Sequence, residues 1–351
     1  MKDIFLKIKE QLTLQLPFAL YSKPESETIT AVFQKDGVHY SPTDFKQKGF
    51  VFAPFNGEAA FIPFDASEVI VAEIEEGGFK KLQPKSFDID KEAKTDFEAL
   101  VAKSVDAINS GGFKKLVTSR TEAVEVEDFD VAATYEKILY TYPAAFRYCF
   151  FTPRSGLWMG ATPEQLLKVE NNTVHTVSLA GTQLFVEEED AVWETKEREE
   201  QQFVTDYILE ELREHTADIV TTKPYTFKAG NIIHIKTDIT AELKEDSNLQ
   251  EVINTLHPTP AVCGLPKADA KGFLMQNEGY NREFYSGYLG ELNADAATGG
   301  LKTDLFVNLR CMKIDGNAAN LYIGCGITKD SNPEKEFFET VNKSMTMRRV
   351  L

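Results

Sequence analysis

The chain has 351 residues, 42% hydrophobic and 26% charged, with 25 phenylalanines and a formal net charge of −17. That length suits two ordinary domains or one large mixed fold, and the apolar content excludes a disordered chain. The acidic field repels duplexes and anionic membranes, so no nucleic acid and no membrane partner is expected; an anionic substrate would need local positive charge from Lys, Arg, helix N-termini or a metal.

The N-terminal stretch MKDIFLKIKEQLTLQLPF interleaves charged and apolar residues. It lacks the apolar core and cleavage site of a signal peptide, and no run approaches the ~18 apolar residues that span a bilayer. A cytoplasmic protein is expected. Residues 28–33 and 49–55 read as strands between turns. Residues 91–110 read as a helix with Asp90 as N-cap; Phe97, Leu100, Val101 and Val105 share a stripe, and Gly111 and Gly112 end it. Next, 116–117 leads toward 123–126. Strands follow at 157–160, 166–169 and 173–179, the last two joined at Asn171 and Asn172. A long helix is expected over about 193–215. Late strands fall at 285–292, 301–314 and 320–327, with a turn at Asp315 and Gly316 between the last two, and a final helix runs from about Asn332. Strand clusters alternating with long helices indicate α+β with antiparallel sheets. No glycine-rich phosphate loop stands at a strand–helix junction, so nucleotide binding is not indicated. Cys149, Cys263, Cys311 and Cys325 form no CxxC pair and read as buried thiols of a reducing compartment.

Two helical stretches carry carboxylates. In KEREEQQFV, Glu197 and Glu200 share a face that continues through Val204, Ile208 and Leu212, so two carboxylates stand where an inward apolar stripe begins. In SNPEKEFFETVNK, Ser331 and Glu334 fit a capping box. Glu336, Glu339 and Lys343 then share a stripe, and Phe337, Val341 and Ser344 another. Alone, the first is a solvated first turn suited to the helix dipole, and the second an exposed Glu339–Lys343 pair worth ~0.3–0.5 kcal/mol. Together, four carboxylates in facing pairs would repel unless a hard cation lay between them; Mg²⁺ takes one or two carboxylates and completes its shell with water and substrate oxygens.

In order along the chain stand KLVTSR (115–120), GATPEQLL (160–167), SLAGT (178–182), KEREEQ (196–201), HPTPAVCGLPK (257–267), FYSGYLG (284–290), NLR ending at Arg310, and GCGI followed by PEKEFFETVNK (324–343). These blocks resemble the chorismate-utilising enzymes, the family of isochorismate, salicylate, anthranilate and aminodeoxychorismate synthases. The likeness runs from Phe97 to the C-terminus; residues 1–90 match loosely. It implies one large α+β domain over 1–351, with two extended antiparallel sheets packed face to face, flanked by helices, and a cleft closed by the C-terminal helix. Ala180 stands where aminodeoxychorismate synthases carry a nucleophilic Lys, and the HPTPAV stretch resembles the isochorismate-forming members. Gln201 departs from several relatives, which have His there.

The resemblance implies a Mg²⁺-dependent isomerase that converts chorismate to isochorismate for quinone (menaquinone) or siderophore biosynthesis. Salicylate synthase and anthranilate synthase component I are the alternatives. Lys115 is the candidate base and Glu164 the candidate acid, which needs a raised pKa to keep its proton. Strand neighbours point to opposite faces, so Lys114 is expected to be the solvated one. Glu200 and Glu339 are the candidate metal ligands, supported by Glu197 and Glu336. Lys343 would lie beside the ring carboxylate. Arg310 and Tyr285, with the backbone at Gly324 and Gly326, would take the enolpyruvyl carboxylate. Gly181 and Thr182 would line the ring, with His257 a polar contact near the reacting hydroxyl. A monomer or weak homodimer is expected. On the residues alone, Lys115 would be a surface lysine, Glu164 a turn carboxylate and His257 a structural group.

Overall fold

The structure, a computed structural model, describes residues 1–75, 82, 87–185, 191–229, 232–245 and 247–351, apart from the side chains of 182, 184, 196, 229 and 232. The described residues form two antiparallel sheets of nine strands each. The first sheet runs, edge to edge, Gly264–Leu265, Lys115–Glu125, Ala318–Ile327, Cys311–Asp315, Gly156–Thr162, Phe146–Thr152, Phe18–Ser22, Thr28–Gln34, Ser67–Glu73. The second runs Thr216–Thr221, Ile232–Leu243, Thr173–Leu184, Gln165–Glu170, Lys302–Val307, Tyr288–Leu292, Gly49–Ala53, Ala60–Pro63, with Tyr225–Ala229 also paired to Ile232–Leu243. Residues 18–63, inside the loosely matching 1–90, thus supply strands to both sheets.

The layer between the sheets accounts for the phenylalanine content. Phe50 and Phe52 of the second sheet meet Tyr148, Phe150 and Trp158 of the first, and Phe52 and Phe150 have ring centroids 4.6 Å apart. Phe146 stacks on Phe306 across the same layer at 4.3 Å. Each such ring, fully buried, contributes about 1.5–3 kcal/mol of transfer free energy. Helices cover the outer faces. Val204, Ile208 and Leu212 of helix Thr195–Arg213 pack with Val174 and Ile239 of the second sheet, which is the inward stripe that their spacing demands. Phe97 and Val101 of helix Lys91–Asn109 pack with Leu116, Ile327 and Phe337 at the first sheet. Asp90 caps that helix by accepting from the Glu92 and Ala93 amides.

Three local expectations are corrected. Residues 301–314 are not one strand: Lys302–Val307 belongs to the second sheet and Cys311–Asp315 to the first, and the chain crosses between them at Asn308, Leu309 and Arg310, the last with φ 48°. Residues 285–287 are a turn, with Ser286 at φ 60°, before the strand begins at Tyr288. The C-terminal helix Pro333–Arg348 is capped by Asn332, whose Oδ1 accepts from the Lys335 amide, while Ser331 Oγ accepts from Thr328. The turn at Asn171 and Asn172 has both residues at positive φ, as its sequence implies. All four cysteines are buried and form no disulfide. Among the described residues no helix is long and apolar enough to cross a membrane.

Gly290 sits mid-strand in the second sheet at φ 145°, where an added Cβ would lie 2.1 Å from the Asp304 carbonyl oxygen. Gly290→Ala is expected to cost roughly 1–3 kcal/mol from backbone strain, with the clash in addition, and so to lower the thermal unfolding midpoint. An unchanged midpoint would show that the sheet yields at this point.

Candidate active site

The cavity lies where the aromatic layer ends. Strand Gly156–Thr162 of the first sheet passes into Gln165–Glu170 of the second through Pro163 and Glu164, and Lys302–Val307 passes back into Cys311–Asp315 through Arg310. The crossings lie side by side. Thr162 Oγ1 donates to the Val307 carbonyl, the Val307 amide to the Glu164 carbonyl, and the Ala161 amide to the Arg310 carbonyl. Glu164 and Arg310 therefore enter one partly open cavity of about 200 Å³.

Lys115 opens strand Lys115–Glu125 on its inward face; Leu116, on the other face, packs under helix Lys91–Asn109. The Lys115 side chain is 3% exposed, whereas Lys114 is exposed, as strand alternation requires. Lys115 Nζ donates to Glu200 Oε1 at 2.8 Å. On the neighbouring strand, a Cβ at Gly326 would lie 3.0 Å from Glu200 Oε1 and 3.2 Å from Lys115 Cε, so the absence of a side chain there makes room for this ion pair. The carboxylates come from the two helices, with Glu197 and Glu200 on one and Glu336 and Glu339 on the other, all lining the cavity. Lys343 Nζ donates to Glu339 Oε1 at 2.6 Å and to the Gly324 carbonyl at 3.0 Å, tying helix to sheet. Gly181, at φ 69°, lies in a bulge between Ala180 and Gln183, and a Cβ there would meet Glu197 Cβ at 3.1 Å. Ala180 and Tyr285 line the same space.

Burial raises Glu164 to about 7, against the opposing pull of Lys115, Lys343 and Arg310. Desolvation thus outweighs three cations, and a large fraction of this carboxyl keeps its proton at neutral pH. Glu197 Oε2 is buried and meets no hydrogen-bond donor among the described residues. An acceptor in that condition, on an all-oxygen donor set of four carboxylates, fits a hard cation such as Mg²⁺. No three acidic, His or Cys side chains among the described residues form a cage by themselves; Mg²⁺ characteristically takes fewer carboxylates than that and completes its shell with water and substrate.

Two expected contacts are placed elsewhere. His257 does not line the cavity: it is half-buried at the end of helix Leu249–Leu256, with Nε2 3.3 Å from the Pro54 carbonyl and its ring edge-on to Tyr288 at 4.9 Å. Burial lowers it to about 3, so it is a neutral structural group. Gln201 points away from the carboxylates, its Nε2 donating to Ser178, Thr205 and Thr237 and so fastening helix to sheet. The Thr182 side chain lies outside the described residues. Sequence reasoning missed His234, which lines the cavity with Nδ1 2.8 Å from the Gly181 carbonyl. A carbonyl only accepts, so the ring donates from Nδ1; burial lowers this histidine to about 4. Nothing in IIHIK marks it beyond a lone His in an apolar strand.

Residues 67–351 match the family model described as chorismate binding enzyme. The salicylate biosynthesis isochorismate synthase of Pseudomonas aeruginosa is 29% identical over 75% of this chain and 56% of its own length, so the chain spans little more than half of that relative. Anthranilate synthase component 1 of Thermococcus kodakarensis is 30% identical over 85% of this chain and 67% of its own. A solved structure titled as a 2,3-dihydroxybenzoate-specific isochorismate synthase, DhbC from Bacillus anthracis, superimposes with a TM-score of 0.79 at 21% identity, covering 98% of this chain and 99% of that one, which establishes the shared fold. On the match over 67–351 and the identity with these relatives, the chain belongs to the chorismate binding enzyme family.

Proposed function

We propose that this protein is a Mg²⁺-dependent isochorismate synthase, with Lys115 as general base and Glu164 as general acid. The observation that carries the reading is a carboxyl raised to about 7 in the same cavity as a buried lysine, beside an alanine that leaves room for water. A protein that only bound an anion would need the cations, but not a protonated carboxyl among them. Several relatives are named for isochorismate formation, which supports the same choice.

Chorismate is a dianion. Arg310 and Tyr285 are suited to its enolpyruvyl carboxylate, and Lys343 to its ring carboxylate. Glu200 and Glu339 would hold the cation, with Glu197 and Glu336 behind them. When bound, Mg²⁺ would supply positive charge to these carboxylates and to the ring carboxylate. As a base, Lys115 acts through the free amine, the form that accepts a proton from water, and its bond to Glu200 holds the ammonium form. The reading therefore requires the Lys115–Glu200 pair to open. As the water oxygen bonds to one ring carbon, Lys115 takes its proton and the ring double bond shifts. The hydroxyl at the other carbon takes the Glu164 proton and leaves as water, so one water enters and one departs.

Chromatography of chorismate incubated with Mg²⁺ and the protein is expected to show isochorismate approaching a steady mixture with chorismate, and Lys115→Ala is expected to abolish it while binding chorismate. Salicylate and pyruvate rising at the enzymatic rate would make the protein a salicylate synthase, and anthranilate on adding ammonia an anthranilate synthase component I. Lys115→Ala activity within a few-fold of the parent would remove Lys115 from the mechanism.

Glu164 donates only when protonated, and its proton is held below about 7. The rate kcat/KM is therefore expected to fall as pH rises through about 7, approaching tenfold per unit. Glu164→Gln should abolish turnover. A Gln variant that stays active with the same alkaline limb would assign the proton to another group.

Glu200→Ala and Glu339→Ala are each expected to weaken Mg²⁺ and chorismate together in calorimetric titration, because binding of either completes the site of the other. Parental affinity for both in either variant would exclude that residue as a ligand.

A further inference from the structure

Strand Lys115–Glu125 has an incomplete edge. On one side it pairs along its length with Ala318–Ile327; on the other, its strand partner among the described residues is the two-residue Gly264–Leu265, at Lys115 and Leu116, and one more backbone bond, from the Val117 amide to the Cys263 carbonyl, ends the pairing. The carbonyl of Val117 and the amide of Ser119 lie just past that short partner. Side chains take them instead. Arg282 Nη2 donates to the Val117 carbonyl at 2.5 Å, and Glu278 Oε1 accepts from the Ser119 amide and from Ser119 Oγ, each at 2.8 Å. Arg282 and Glu278 are joined as a fork, Nε to Oε2 at 2.7 Å and Nη2 to Oε1 at 2.6 Å, with side chains 3% and 1% exposed. The other arm of the guanidinium donates to the Val262 carbonyl at 2.8 Å. Neither Arg282 nor Glu278 lines the cavity, yet Val117 and Val262 both do.

We propose that the Arg282–Glu278 pair substitutes for the missing strand neighbour and is the positioning device for Lys115. It pins the Lys115 strand two residues beyond the base and ties it to the Val262 wall of the cavity. The proposal rests on the reading of Lys115 as a base. A guanidinium suits the task because its rigid fork serves one carboxylate and two carbonyls in a plane, which an ammonium cannot do. Desolvating the pair is costly, but each charge has a partner and every donor named above reaches a fixed acceptor.

The test uses the intact protein with Arg282→Lys and Glu278→Gln. Calorimetry with chorismate and Mg²⁺ counts the sites that bind, and single-turnover conversion is then expressed per binding site. Amide hydrogen exchange is followed at residues 115–119 and 259–264. For either variant, conversion per site is expected to fall on the order of 100-fold, as a base displaced by about 1 Å would cause, with the chorismate dissociation constant within about threefold of the parent. Exchange at Ser119 should quicken. Activity lost only in proportion to lost binding sites, with the parental rate per site, would make the pair structural and overturn the proposal. So would parental exchange at residues 115–119, or failure of both variants to fold. If the unaltered protein does not consume chorismate, the functional reading fails, while the exchange measurement still decides whether the pair holds the strand.

Discussion

Two stretches of chain change sheets side by side, and the site depends on that. Where both sheets run on, Phe50, Phe52, Phe150 and Trp158 are buried together in the space between them. At the crossings the backbone groups of Ala161, Glu164, Val307 and Arg310 satisfy one another, so the chain can leave each sheet without burying unpaired amides or carbonyls. The side chains of Glu164 and Arg310 are thereby released from sheet packing into a common space, which the two carboxylate helices close.

The charges in that space are close enough to set one another's state. Glu164 sits beneath three cations and still holds its proton to about 7, because loss of hydration outweighs their attraction. Lys115 and Lys343 each pair with one carboxylate of a helix, while Glu197 keeps an oxygen without a donor among the described residues. A buried acceptor without a donor is costly, and such groups are common at functional sites. Glycine at 181 and 326 lets helix carboxylates and the lysine approach the sheets more closely than a Cβ would permit.

Around this core of charge, polar groups that do not line the cavity tie the frame together. Gln201 binds helix to sheet through Ser178, Thr205 and Thr237. His257 closes a helix end against Pro54. The Arg282–Glu278 pair stitches an edge strand to a neighbouring loop. Gln201, Arg282 and Glu278 have buried side chains held by these partners, and a satisfied network raises specificity of the fold where a half-satisfied one would weaken it.

The sequence by itself determined whatever rests on short-range period. The inward stripe of Val204, Ile208 and Leu212, the shared face of Glu336, Glu339 and Lys343, the opposite sides of Lys114 and Lys115 and the turn at Asn171 and Asn172 follow from 3.6-residue and two-residue repeats or from local turn chemistry. The ordered blocks from KLVTSR to PEKEFFETVNK carried the family and, with it, most of the residues that meet in the cavity. Tertiary structure alone decided the rest. Residues 301–314 alternate like a single strand, and no local pattern marks the change of sheet at Arg310. His234 and Arg282 act through partners 53 and 165 residues away in the chain, at Gly181 and Val117, and His257 is drawn out of the cavity by a carbonyl 203 residues distant. Periodicity records which face a side chain shows, but which group it meets there depends on long-range packing, and burial, the force that holds the proton on Glu164, exists only once that packing is complete.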